Sequence, residues 1–143
     1  ELKNIVGVKD ATGDLNRAAQ QIKTMGDKFI MLTGEDGNAL DFNKTGGRGC
    51  ISVTANVAAR LCSEMQNASL TKDNIDLQQR AEEINKILTP LNKSLFIESN
   101  PSPVKYAASL LNLSLDDVRL PLVKITDSTK LSIKQALEFA NLI

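Results

Sequence analysis

Apolar positions change their spacing several times along the first 72 residues. Ile5, Val6 and Val8 form a near-continuous run, and Leu15, Ala18, Ala19, Ile22 and Met25 then recur at steps of three and four. The first pattern predicts a short strand. The second predicts one face of a helix, with Thr12 or Asp14 as N-cap and Gly26 as its stop. Phe29, Ile30, Met31 and Leu32 repeat the strand signal, and a shorter helix carrying Ala39, Leu40 and Phe42 follows Gly34-Glu35-Asp36-Gly37-Asn38. Gly46-Gly47-Arg48-Gly49 breaks that helix, and Cys50-Ile51-Ser52-Val53 reads as a third strand. Asn56 is suited to cap a helix through Ala58, Leu61, Cys62 and Met65. Three strand–helix units in sequence predict an α/β fold with a parallel sheet, whose uniformly apolar strands are expected to be buried on both faces.

Beyond Thr71 the period is helical only. Ile75, Leu77, Ala81, Ile84, Ile87, Leu88 and Leu91 mark one long amphipathic segment, expected to bend or end near Pro90. Asn100-Pro101-Ser102-Pro103 predicts a turn that opens a helix through Val104, Ala107, Ala108 and Leu111. Leu120-Pro121-Leu122 reads as an extended link, and Asp127 or Ser128 as the cap of a last helix along Ile133, Ala136, Leu137 and Ala140. The expected division is therefore 1–72 for the strand–helix units and 73–143 for a small all-helical domain. A doubly wound sheet usually has more than three strands, and a closed barrel needs eight units in about 250 residues. A chain that starts without Met, almost directly on a strand, fits the final part of such a barrel better.

Composition narrows the function. Seventeen basic residues balance seventeen acidic ones, so no net field recruits nucleic acid or an anionic membrane. Four Phe, one Tyr and no Trp argue against base-stacking platforms. No apolar run approaches the length of a membrane span, and no signal peptide is visible. Cys50 and Cys62 make neither a disulfide scaffold nor a zinc site, and a reducing, cytoplasmic setting is expected. The absence of His excludes Ser–His and Cys–His catalysis and histidine metal clusters within the chain.

The remaining chemistry gathers where strands end, which is where ligands meet parallel α/β sheets. Lys9 ends the first strand, on the same side as Ile5 and Gly7. An amine in a cramped, partly apolar space is disfavoured as an ammonium and becomes a nucleophile for imine formation. The competing reading is a strand-end lysine that reaches water. Gly34, Glu35 and Asp36 follow the second strand, and Thr54, Ala55 and Asn56 the third. One amine facing small residues that expose backbone suits an imine-forming enzyme acting on a keto acid. Gly46-Gly47-Arg48-Gly49 precedes its strand and so fails as a dinucleotide fingerprint. Gly34 and Asn56 would suit a phosphate, but Glu35 and Asp36 oppose an anion. As a metal pair, those two acids compete with their ordinary role at a helix start.

Taken together, Ile5-Val6-Gly7-Val8-Lys9-Asp10-Ala11-Thr12-Gly13, Leu32-Thr33-Gly34-Glu35-Asp36, Gly46 through Asn56, Asn100-Pro101-Ser102-Pro103-Val104-Lys105 and Arg119-Leu120-Pro121-Leu122 resemble the 4-hydroxy-tetrahydrodipicolinate synthase (dihydrodipicolinate synthase) family. That family lies within the Schiff-base class I aldolases related to N-acetylneuraminate lyase. The resemblance runs over essentially the whole chain. It implies the last three β/α units of a TIM (β/α)8 barrel followed by a C-terminal helical domain. It implies a lyase of lysine (diaminopimelate) biosynthesis with Lys9 as the imine-forming residue for pyruvate. The carbonyl of Ile51 would face the bound keto acid, Gly34 would line the pocket, and aspartate semialdehyde would be the second substrate. No metal or organic cofactor is implied, and assembly as a homotetramer is expected.

The family's proton-relay tyrosine, threonine pair and aldehyde-binding arginine have no counterpart here. Tyr106 lies in the helical part and is not assigned the relay. The chain by itself is therefore expected to be inactive and poorly folded. Two other readings stay open: a related pyruvate-dependent lyase acting on sugar acids, and a non-catalytic α/β binding module.

Overall fold

In the computed structural model, which describes residues 3–143, two short strands pair in parallel and six helices follow or separate them. Strand β1 is Gly7–Asp10 and β2 is Ile30–Thr33, in the register Gly7↔Ile30, Val8↔Met31, Lys9↔Leu32 and Asp10↔Thr33. Helix α1, Leu15–Met25, joins them. Asp14 caps it by accepting from the N–H groups of Asn16 and Arg17, and Gly26, at φ 76°, ends it. Both expected signals for this helix thus act as read. A 3₁₀ turn at Asp36–Asn38 leads into α2, Ala39–Lys44, as the shorter helix required.

The expected third strand is reduced to one parallel bridge, Thr33↔Cys50. Arg48 N–H to Met31 carbonyl, Thr33 N–H to Gly49 carbonyl and Ile51 N–H to Thr33 carbonyl continue the ladder for a few residues. The chain then turns away, with Ser52 donating to the Asp36 carboxylate. The first strand is also shorter than its apolar run: paired residues begin at Gly7, and Val6 joins the ladder only through its carbonyl, which accepts the Ile30 N–H at 2.8 Å. Burial on both faces is not found: Val6 is 62% exposed, and Ile5, Val8 and Ile30 are also exposed. A two-stranded sheet covers one face with α1 and leaves the other open.

Four helices follow: α3, Ala55–Leu70; α4, Ile75–Ser94; α5, Ser102–Leu110; and α6, Asp127–Phe139. Asn56 does not cap α3. It lies inside the first turn and its amide donates to the Val53 carbonyl, while the Thr54 carbonyl accepts from Val57 and Ala58. Helix α4 runs through Pro90 without ending there. Burial of Ala81, Ile84, Leu88 and Leu91 to 1% exposure or less outweighs the roughly 3 kcal/mol that a helical proline costs, since each large aliphatic contributes about 1.5–3 kcal/mol. Residues 120–122 form a turn closed by Leu122 N–H to the Arg119 carbonyl, not an extended link. Thr126, one residue before the expected caps, is the N-cap of α6.

The chain divides into two compact units, Glu1–Ser52 with Glu64–Glu82, and Val53–Ser63 with Glu83–Ile143. In the first, Ala18, Met31 and Phe42 form a core against which Leu15, Ile22 and Phe29 pack. Gly47 lies so close to Phe42 that a Cβ there would stand 2.2 Å from the ring. In the second, Ala107 of α5 and Ile133 and Leu137 of α6 are fully buried.

Candidate active site

Lys9 is the third residue of β1 and, among the described residues, the only ionisable side chain lining an open cavity of ≈ 500 Å³ in the first unit. The other walls are Asn4, Ile5, Val6, Gly7, Val8, Ile30, Leu32 and Ile51, so the surroundings are largely apolar. Gly7 is required by the sheet itself, because a Cβ there would lie 2.4 Å from the Ile30 carbonyl oxygen. Its missing side chain leaves the pairing intact and helps keep the cavity open beside the lysine.

Gly34 follows β2, and its N–H donates to the Asp10 carbonyl at 2.7 Å. A Cβ at Gly34 would stand 2.8 Å from Ala11 Cβ, 3.0 Å from Lys9 Cε and 3.3 Å from Lys9 Cδ. The stem of Lys9 therefore lies directly on the Gly34 backbone. Ile51 enters the same cavity from the segment after the Cys50 bridge. The three residues expected from the sequence are thus gathered at one sheet end. The expected desolvation is not: Lys9 is exposed, because β1 is paired on one side only among the described residues.

Behind Lys9 stands a network that the sequence reading passed over. Asp10, 9% exposed, accepts from the Thr12 N–H at 2.8 Å, the Thr12 hydroxyl at 2.6 Å and Arg17 Nε at 3.1 Å. These contacts, the Thr12 hydroxyl foremost, hold the Asp10 carboxyl below the usual carboxylate range against the opposing effect of burial. The signal available in the sequence was an acid two residues before a threonine and seven before an arginine, a spacing that gains meaning only once β1 and α1 are placed.

The two other acids have local partners. Glu35 accepts from the Gly37 N–H at 3.1 Å, and Asp36 is buried and receives the Ser52 hydroxyl. Among the described residues, no group of three or more His, Cys, Asp or Glu is arranged to hold a metal ion. No helix among them is long and apolar enough to cross a membrane.

A sequence model of the dihydrodipicolinate synthetase family matches residues 1–140. The chain belongs to that family. The 4-hydroxy-tetrahydrodipicolinate synthase of Pelagibacter ubique is 61% identical over 143 residues, covering 100% of this chain and 48% of that protein. The synthase of Methylobacterium radiotolerans is 51% identical over the same 143 residues, 46% of its own length. Among solved structures, dihydrodipicolinate synthase from Aquifex aeolicus superposes with a TM-score of 0.92 at 36% identity, over 99% of this chain and 47% of its own. A chloride-inhibited dihydrodipicolinate synthase of Acinetobacter baumannii, solved with pyruvate, gives 0.92 at 37% identity, over 100% and 48%. The chain thus spans about half the length of the family members it matches, and its fold is that of the corresponding part of those proteins.

Proposed function

We propose that Lys9 forms an imine with pyruvate, and that the complete polypeptide condenses this keto acid with L-aspartate 4-semialdehyde to 4-hydroxy-tetrahydrodipicolinate. The observation that carries the reading is the placement of Lys9 as the sole ionisable wall, among the described residues, of an apolar cavity, its stem on Gly34 and Ile51 beside it. The Lys9 amine adds to the keto carbon and water leaves. The protonated imine then draws electrons from the neighbouring methyl, which loses a proton to give an enamine. The enamine carbon attacks the aldehyde to form the new C–C bond. The amino group of the second substrate next displaces the lysine from the imine carbon, closing the ring and freeing the enzyme.

Gly34 and the Ile51 backbone are assigned to the keto-acid side of this pocket. The family relationship supports a TIM-barrel reading in which residues 1–72 supply the last three β/α units and 73–143 the helical domain. It also supports a homotetramer as the working assembly. Borohydride added with pyruvate to the complete polypeptide tests the reading. A reduced adduct located on Lys9, and lost in Lys9→Ala, is expected. Labelling that is unaffected by Lys9→Ala would overturn the assignment. Turnover with sugar acids and none with the semialdehyde would move the enzyme to the related lyases.

A further inference from the structure

The turn that follows Lys9 is tied down by groups that imine chemistry does not itself consume. Strand alternation sends the Asp10 side chain to the face opposite Lys9, so its carboxylate is not placed to exchange a proton with the amine. Its contacts run elsewhere. Oδ1 accepts both the N–H and the hydroxyl of Thr12, and Oδ2 accepts from Arg17 at the start of α1. The Thr12 hydroxyl accepts the Asp14 N–H at 3.3 Å, and Asp14 caps α1. The Asp10 backbone carbonyl holds the Gly34 N–H. One residue therefore joins the end of β1, the turn, the start of α1 and the end of β2. Ala11 sits inside the ring that Asp10 closes with Thr12. Ala11 Cβ and Lys9 Cε both crowd the vacant Cβ position of Gly34.

We infer that Asp10 is a positioning residue for Lys9: the Asp10–Thr12–Arg17 clamp fixes Ala11 and Gly34 against the lysine stem and so sets the direction from which the amine meets a keto acid. The inference rests on the proposed role of Lys9. Arg17 neutralises the carboxylate, and the two Thr12 donors satisfy one of its oxygens, so the clamp stands without help from the amine. An amide that keeps its oxygen on the Thr12 donors turns an NH2 donor toward Arg17. Asp10→Asn thus breaks one arm, Thr12→Val removes the hydroxyl arm, and Thr12→Ser keeps it.

The test is the single-turnover rate constant for the borohydride-trappable pyruvate adduct on Lys9 in the complete polypeptide, followed with its amplitude and the melting temperature. A merely structural role lowers the amplitude through the folded fraction and leaves the rate constant alone. A positioning role lowers the rate constant itself. Asp10→Asn and Thr12→Val are expected to slow adduct formation on the order of tenfold to a hundredfold, the scale set by misplacing a reacting group. Thr12→Ser is expected to keep the parent rate. Should Asp10→Asn fail to fold, the Thr12 pair carries the comparison. Variants that form the adduct at the parent rate, or a Thr12→Ser as slow as Thr12→Val, would overturn the inference while leaving Lys9 in its role. A parent protein that gives no adduct on Lys9 would instead remove the proposed function, and the clamp's purpose with it.

Discussion

Gly34→Ala is the sharpest single test of the site's geometry. The new methyl would lie 2.8 Å from Ala11 Cβ and 3.0 Å from Lys9 Cε. The lysine end can swing aside, but Ala11 is held by the Asp10–Thr12 ring and Gly34 by its 2.7 Å bond to the Asp10 carbonyl. Gly34 has no positive φ, so backbone strain does not enter and the cost is steric. Overpacking of this kind costs about 1–3 kcal/mol. Each kcal/mol moves the melting point of a chain this size by roughly 2–8 °C. Displacing the lysine should slow pyruvate adduct formation on the order of tenfold to a hundredfold. Gly37→Ala three residues away is the control, since its Cβ would meet only the far end of the Glu35 side chain, at 3.2 Å. Calorimetry and borohydride trapping on the two variants read both quantities. A Gly34→Ala protein with the melting point and trapping rate of Gly37→Ala would refute the close approach of Gly34 to the lysine stem.

Gly47→Ala places a methyl 2.2 Å from Phe42 Cδ1 and 2.8 Å from the Phe42 carbonyl oxygen in the first unit's core, and should cost about 3 kcal/mol or more in urea unfolding. The Thr129 hydroxyl foremost, with the Thr126 N–H and hydroxyl that Glu98 accepts, holds the Glu98 carboxyl below its ordinary value near 4.5. Because the folded-state value is the lower one, this stabilisation is complete above about pH 4.5 and disappears as pH falls through the folded value. Glu98→Gln should therefore lower the melting point at pH 6 and narrow its gap from the parent at acid pH. Asp10 and Asp127, lowered in the same direction, keep a residual slope in both proteins. Finally, the 143 residues alone should show no condensation of pyruvate with the semialdehyde in a coupled assay. Among the described residues their cavity has no second ionisable group, and general acid–base catalysis contributes about 10²–10⁴-fold.

Much of the fold was legible because local chemistry and packing agree. Asp14 and Gly26 delimit α1 in the sequence and in the structure, and the apolar stripe of α1 meets the core through Leu15, Ala18 and Ile22. Legibility failed where a distant partner decides the outcome. Cys50-Ile51-Ser52-Val53 has the composition of a strand, but a strand needs neighbours, and among the described residues only Thr33 bridges to it. Asn56 has the side chain of a cap, yet the Thr54 carbonyl takes the first helical donors and leaves Asn56 within the first turn. Pro90 signals an end that the buried face of α4 overrides.

The candidate site divides along the same line. Lys9 could be proposed from the sequence because strand alternation and a neighbouring glycine are local facts, Gly34 because parallel sheets gather ligands at strand ends, and Ile51 only through the family resemblance. Asp10 could not. Its meaning comes from a hydroxyl two residues on, a guanidinium on the next helix and an amide on the next strand, and these meet only when β1, α1 and β2 have assembled. The exposure of Lys9 makes the complementary point. An apolar strand pattern states what a residue can tolerate around it, and the walls that desolvate an amine are supplied by whatever else packs there. The chemistry proposed for Lys9 would therefore depend on two sets of neighbours: the clamp behind it, and a cover over the open face of β1, which is absent among the described residues.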